Sequence, residues 1–383
     1  MARVLILHAS CGGGHRAAAR ALATAFTGLD PSTEVSVVDA LDGMSAGFRK
    51  IYRGAFDVAV SRLPLVYAAF FRASKNLDLY RGFRAARRVS SWLSAKRLAA
   101  AIRRARPDAI VCTHFLPLDV SLREKRRGRI EAPVYGVVTD YTAHGLWRQR
   151  DADLTFAPPG RAVNELFAGG VPGSRIVATG IPIDPAFGFA YDPLEARRRV
   201  GLPLDRPVVV LLAGGSGHGP LAAVAEEVSR ALGQQAELVV VCGKNDALLA
   251  SLGRLRLPGS VRLHGFVEEI RPLLQAATVV VTKPGGLTTS ECLALGKPLV
   301  FYTAAPGQES ANARYVVERG AAVDGGTPAG AALAACRLVA DAAARERLAR
   351  RALGIARPEA ARAIAESILL RRRAETPLVL AAI

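Results

Sequence analysis

The chain has 383 residues, half of them hydrophobic, and carries 51 Lys and Arg against 33 Asp and Glu, a formal charge of +18. That is room for two domains of about 150–200 residues with their own cores, and it is too apolar for a disordered chain. No apolar run reaches the ~18–20 uninterrupted residues of a membrane-spanning helix; the five scattered cysteines contain no Cys-x-x-Cys pair, which excludes a disulfide framework or zinc cluster and suits a reducing compartment.

Residues 4–8 are a short aliphatic run, expected as a first strand and not a signal peptide, because it leads into Gly12-Gly13-Gly14 instead of a small-residue cleavage site. An Ala-rich helix to about Phe26 follows, then a strand over 35–38 ending at Asp39. Residues 109–113, 134–138 and 154–157 are further β-rich runs. Near-continuous apolar strands separated by helices indicate a parallel sheet covered on both faces. The proline-rich stretch from Ile181 to Pro207 reads as a linker. The pattern then restarts: 208–213 enters Gly214–Gly217, strands follow at 237–242, 261–264, 278–282 and 299–302, and an Ala/Arg-rich helical region begins at about 329.

The expected fold is therefore α/β, with two doubly wound Rossmann-like halves over residues 1–185 and 207–355, a linker at 186–206, and a C-terminal helix and tail at 356–383. Open α/β sheets bind ligands at the carboxyl ends of their strands, where every glycine loop of this chain lies. The site belongs in the cleft between the halves.

The positive charge is concentrated. Residues 44–106 hold fifteen Lys or Arg and only two acids, Asp57 and Asp78, together with nine aromatics. An anionic partner is implied.

The glycine loops carry the chemistry. Gly12-x-Gly14-x-x-Ala17, with Asp39 at the end of the second strand, fits a dinucleotide fingerprint and equally a plain tight turn. His15 sits in the first turn of the following helix, where the dipole favours the neutral imidazole, a proton acceptor; an exposed loop histidine is the plainer alternative. Gly214-Gly215-Ser216-Gly217 offers backbone amides to an anion. In Thr282-Lys283-Pro284-Gly285-Gly286-Leu287-Thr288-Thr289-Ser290-Glu291, a strand end meets two glycines, and Thr288 or Thr289 is expected to cap the next helix. Donors at such a helix start can cradle a diphosphate without a metal. Glu291 falls a turn later, where a carboxylate can accept from both hydroxyls of a ribose; a capping box with Thr288 is the alternative. His264-Gly265-Phe266-Val267 ends a strand with backbone groups able to read a base edge, and Pro306-Gly307-Gln308-Glu309 with Asn312 gathers groups suited to sugar hydroxyls or to a solvated helix start.

These blocks, with Gly12–Ala18 and Val138-Thr139-Asp140-Tyr141, are similar to the diacylglycerol glycosyltransferases, a group that comprises monogalactosyldiacylglycerol synthases and processive diacylglycerol glucosyltransferases. The resemblance covers about residues 5–320, and the Pro-Gly-Gly…Glu block is its most specific part. It implies a GT-B fold and an inverting transfer of a hexose from a UDP-sugar to a lipid hydroxyl, with no metal or other cofactor. Glu291 would then hold the ribose and Gly265, Phe266 and Val267 the uracil. Gly215, Ser216, Gly217, Pro284, Gly285, Gly286, Leu287 and Thr288 would hold the diphosphate, and Gln308 and Glu309 the transferred sugar. His15, with Gly14 beside it, would face the acceptor as general base or orient it. Asp140 is the second candidate base, or the orienter of His15, or a simple strand-end carboxylate. Asp151-Ala152-Asp153, the one Asp-x-Asp to test as a metal–diphosphate motif, has no phosphate loop beside it.

A lipid acceptor gives residues 44–106 a mechanism. Cations attract anionic headgroups at ~1 kcal/mol each, and aromatics settle at the water–bilayer boundary. Tyr67, Phe70, Phe71 and Trp92 are the candidates for insertion, and Arg84, Arg87 and Arg88 for headgroup contact. The expectation is peripheral attachment, from the cytoplasm, to the inner face of the cell membrane; arginine-rich composition combined with ordinary core aromatics is the competing account. No helix-turn-helix, zinc or RNA-recognition signature points to nucleic acid. Other functions that fit are a GT-B transferase with a polyprenyl-linked or other hydrophobic acceptor, and a UDP-sugar 2-epimerase. The identity of the hexose is open.

Overall fold

The computed structural model describes residues 2–10, 12–52, 69, 94–214 and 219–375. Their strands form two six-stranded, fully parallel sheets. The first runs, edge to edge, β2 (Glu34–Asp39), β1 (Arg3–His8), β3 (Ala109–Cys112), β4 (Val134–Val137), β5 (Leu154–Ala157) and β6 (Ile176–Ala178). The second runs β12 (Ala322–Asp324), β11 (Leu299–Phe301), β10 (Val279–Thr282), β7 (Val208–Leu212), β8 (Glu237–Val241) and β9 (Ser260–His264). The strand order reverses between β1 and β3 in one sheet and between β7 and β10 in the other, and such switch points open a ligand crevice at the carboxyl ends. Register is set by Val4 opposite Ala109 and by Val209 opposite Val279.

The lack of alternation in the sequence has its reason here. β3, β4, β5, β7, β8 and β10 are buried at every position, so both faces demand aliphatic side chains, whereas β2 and β9 lie at sheet edges and are partly open. The helix Gly14–Leu29 turns Ala18, Ala19, Leu22, Ala25 and Phe26 inward. Its alanines leave room for a second helix, and the one that fills it comes from the far end of the chain. Ala361, Ile364, Ala365, Ile368 and Leu369 of the helix Ala360–Glu375 form a one-sided stripe packed with Val4, Ile6, Leu22 and Phe26 of the first half. Burying Ile364 and Ile368 contributes about 1.5–3 kcal/mol each. The helix expected in the C-terminal segment thus closes one face of the first sheet.

The stretch expected as a linker is also structured. Asp184 caps a 3-10 turn at Pro185–Gly188 and Asp192 caps the helix Pro193–Arg199. Arg197 donates to the carbonyls of Ala276 and Arg206 and to Thr278 Oγ1, which fastens this helix to the second half.

Candidate active site

Two strand–glycine–helix units face each other across the cleft, one entering the helix Gly14–Leu29 and the other the helix Gly286–Ala294. Their starts nearly touch: a Cβ on Gly14 would lie 3.3 Å from Leu287 Cδ2. Between them is a cavity of ≈ 540 Å³ lined by Gly12–Arg16, Thr139, Asp140 and Asp184 from one side and by Phe266, Val267, Lys283, Gly285–Thr288, Glu291 and Glu309 from the other. Both helices begin on a glycine N-cap with no side-chain cap. The first amides of each have no intrahelical acceptor, so two anion-ready helix starts open into one space.

The start of the second helix corrects the expected cap. It begins at Gly286, two residues before Thr288, so neither threonine caps it and no Thr288–Glu291 capping box forms. Thr288 instead lines the cavity in the first turn. Glu291 reaches the same cavity, and among the described residues no hydrogen-bond donor serves its carboxylate. Burial, and then the negative charge of Asp184, push its carboxyl up to about 7. A pair of ligand hydroxyls is the partner such a group lacks.

His15 is held by its own half. Its Nδ1 lies 2.8 Å from the Thr113 carbonyl and 3.0 Å from Thr139 Oγ1. A carbonyl only accepts, so Nδ1 carries the proton and Nε2 keeps a lone pair. Burial is the main cause that lowers this imidazole to about 4, with nearby His8 adding to it, so His15 is neutral at working pH. Thr113 and Thr139, not Asp140, hold the His15 ring at Nδ1.

Asp140 is bound to the second half. Asn312 Nδ2 donates to its Oδ1 at 2.9 Å and Gln308 Nε2 approaches its Oδ2 at 3.4 Å. Burial raises this carboxyl to about 6; the Asn312 hydrogen bond opposes the rise and Glu309 adds to it. Glu309 accepts from the Ala305 amide at 2.8 Å and pairs with Lys283 at 3.5 Å. Gln308 and Glu309 are therefore beside the cavity, with Gln308 engaged on Asp140. Gly265 follows β9, and the half-exposed Phe266 ring beyond it carries Lys244 Nζ 5.0 Å from its centre.

Several expectations fall outside the described residues: Gly215, Ser216, Gly217, Tyr67, Phe70, Phe71, Arg84, Arg87, Arg88 and Trp92. Two motifs whose reading was open have structural partners. Asp39, the acid of the dinucleotide fingerprint, accepts from the Ser10 amide and hydroxyl and from the Leu41 amide, so it ties two loops together and is not open to a ribose. Asp153 accepts from Lys125 and the Val134 amide, and Asp151 pairs with Arg126, which commits the Asp-x-Asp to structure. Among the described residues no group of three or more His, Cys, Asp or Glu could hold a metal ion, and no helix is long and apolar enough to cross a membrane. Lys283, Asp184 and the bonding of Asn312 were not legible beforehand; a lysine closing a strand beside two glycines was the one available signal for Lys283.

Residues 15–183 match the family model for monogalactosyldiacylglycerol (MGDG) synthase and residues 208–324 the glycosyltransferase family 28 C-terminal domain. A processive diacylglycerol beta-glucosyltransferase of Bacillus mycoides (strain KBAB4) is 32% identical over 332 residues, 84% of this chain and 81% of the relative. The chain belongs to the diacylglycerol glycosyltransferase family. A second such glucosyltransferase, from Bacillus cereus (strain B4264), is 31% identical over the same shares. Among solved structures, Acinetobacter baumannii MurG is similar with a TM-score of 0.58 at 17% identity, over 97% of this chain and 100% of that one. The UDP-GlcNAc 2-epimerase of Neisseria meningitidis bound to UDP-GlcNAc reaches 0.59 at 13% identity, over 96% and 100%. These two likenesses give the GT-B-like fold that this glycosyltransferase shares with an epimerase, so shape alone does not separate the two reactions. The sequence match decides for transfer.

Proposed function

We propose that this glycosyltransferase moves a hexose from a UDP-sugar to the free hydroxyl of a diacylglycerol-type lipid, with inversion and without a metal ion, while attached to a membrane surface. Family membership supports the donor and acceptor classes. The observation that carries the chemistry is that a half-buried carboxylate held by Asn312, a neutral imidazole, a carboxylate without a donor and two open helix starts line one cavity. Glu291 accepts from the ribose hydroxyls. The amides of Gly286–Thr288, the start of their helix and the Lys283 ammonium receive the charge that develops on UDP as the bond from its phosphate to the sugar breaks. His15 offers the Nε2 lone pair that orients the acceptor on entry. The proton of the attacking hydroxyl ends on Asp140, because a group near 6 is the better base of the two at working pH. Charge neutralisation by protein groups is the reason for expecting no metal.

The test of this reading is incubation with a panel of UDP-sugars and diacylglycerol, with and without a chelator, followed by mass spectrometry of the organic phase. A hexosyl-diacylglycerol formed equally in both arms is expected; free sugar epimer without glycolipid would overturn it. Glu291→Ala should raise the donor KM ten-fold or more with kcat changed far less, consistent with two charge-assisted hydrogen bonds of about 1.5–3 kcal/mol each. With Glu291 near 7, donor affinity should also strengthen as pH rises through that value and the carboxylate forms. An unchanged KM would remove Glu291 from the nucleotide.

Docking through residues 44–106 is part of the proposal, as is attachment from the cytoplasm to the inner face of the cell membrane. Neutralising Arg84, Arg87 and Arg88 together should weaken binding to phosphatidylglycerol vesicles about 100-fold at low salt while UDP binds normally, since each cation near an anionic surface contributes ~1 kcal/mol. Equal vesicle binding by the variant would refute it, and nucleic acid is not an expected competitor.

A further inference from the structure

Asn312 is completely buried in the helix Gln308–Val317, and every polar atom of its amide is used. Nδ2 donates to Asp140 Oδ1 at 2.9 Å and to the Pro284 carbonyl at 3.0 Å, and Oδ1 accepts from the Tyr141 amide at 2.8 Å. The orientation is fixed by the two backbone partners, because a carbonyl only accepts and an N–H only donates. Around this amide the turn that carries Asp140 is fastened again. Tyr141 Oη lies 2.8 Å from Ser290 Oγ, and its ring stacks on Tyr315 at 4.4 Å. Asp140 follows a strand of the first sheet, yet the two side chains that bond its carboxylate, Asn312 and Gln308, both belong to one helix of the second half. His15, across the same cavity, has its anchors in the first half.

We propose that Asn312 is a positioning residue: it ties the Asp140 carboxylate to the Pro284 carbonyl of the phosphate loop, so that the base is aimed by the half that seats the donor. This rests on the role given to Asp140 above. A neutral amide suits the task. It fixes the carboxylate without cancelling its charge, as an arginine or lysine would, and leaves it basic enough to take a proton. The other groups facing Asp140 are Gln308 and Glu309 from the same helix, with Lys283 held against Glu309 and His15 on the opposite wall.

The test uses the full chain with Asn312→Asp and Asn312→Ser, the second adding no buried charge if the first does not fold. Donor KM, kcat across pH, UDP affinity by calorimetry and melting temperature are measured for each. Expected are a kcat lowered about 10- to 100-fold, UDP affinity within threefold of the parent, and an acid limb of kcat moved to higher pH, by about one unit in Asn312→Asp, where a donor is lost and a second carboxyl is added. A lower melting temperature with kcat and its pH dependence unchanged would make the amide merely structural and overturn the proposal. A raised donor KM with unchanged kcat would make it a sugar contact, with the same consequence. Parent enzyme that transfers no hexose from any UDP-sugar would instead sink the functional reading, whereas active parent with insensitive Asn312 variants sinks only this inference.

Discussion

Asp140→Asn is expected to lower kcat about 10³-fold while UDP binds as it does to the parent. The size follows from removing a general base, which contributes about 10²–10⁴-fold. Asparagine keeps the shape, and its side-chain oxygen can still accept from Asn312, so the turn stays anchored. What is lost is basicity. Burial holds the Asp140 carboxyl at about 6, well above an ordinary aspartate, so it is ionised at pH 7 and still able to take a proton from an attacking hydroxyl. Turnover of the parent should therefore rise with pH through about 6 and level off above it. His15→Ala should cost less, about 10- to 100-fold, and should keep the same acid limb, because that limb belongs to the carboxylate and not to an imidazole already neutral above about 4. Steady-state rates from pH 5 to 8 on the three proteins decide the matter. Asp140→Asn with kcat within threefold of the parent, or with the acid limb intact, would move the base elsewhere.

The parts of this molecule that were readable in its sequence are those set by local pattern. Unbroken aliphatic runs such as Val208–Leu212 had to be strands buried on both faces, and the glycines after them had to mark the ligand end of the sheets. His15, Glu291 and the Gly285-Gly286 pair were visible because they sit inside those loops. What was not readable depends on partners far apart in the chain. Asn312 meets Tyr141 across 171 positions, and nothing in its own helix distinguishes it from a solvated amide near a helix start. The threonine cap failed for a different reason: Gly285 leaves the backbone free to begin the helix early, and the open amides are more useful to an anion than a capped end. Asp39 left two readings open because the turn signature of a dinucleotide site is shared by loops that simply close on themselves, as this one does. The helix Ala360–Glu375 has a clear apolar stripe, but a stripe does not say which sheet it covers.

Gly286→Ala is a small change with a severe expected effect in the cleft. Backbone conformation does not oppose it, since Gly286 is the first residue of its helix and is not left-handed. Packing forbids it. A Cβ there would stand 2.1 Å from the Thr139 carbonyl oxygen and 3.1 Å from its carbon. No rotamer relieves a contact with backbone, so the turn Thr139–Tyr141 must retreat and take Asp140 with it. The bonds from Asn312 to Asp140 and to the Tyr141 amide and from Tyr141 to Ser290 then lengthen together. Overpacking of this kind costs about 1–3 kcal/mol, and a base displaced by 1 Å costs about 10²-fold in rate. The expected outcome is a lower melting temperature and a kcat reduced at least about 100-fold. Gly253→Ala provides the contrast: the same substitution in the helix Asp246–Arg254 meets nothing within 4 Å and should leave activity unchanged with equal or slightly higher stability. Should Gly286→Ala keep full turnover, the two halves do not need this close approach for transfer, and the cavity between them is not the place where the reaction occurs.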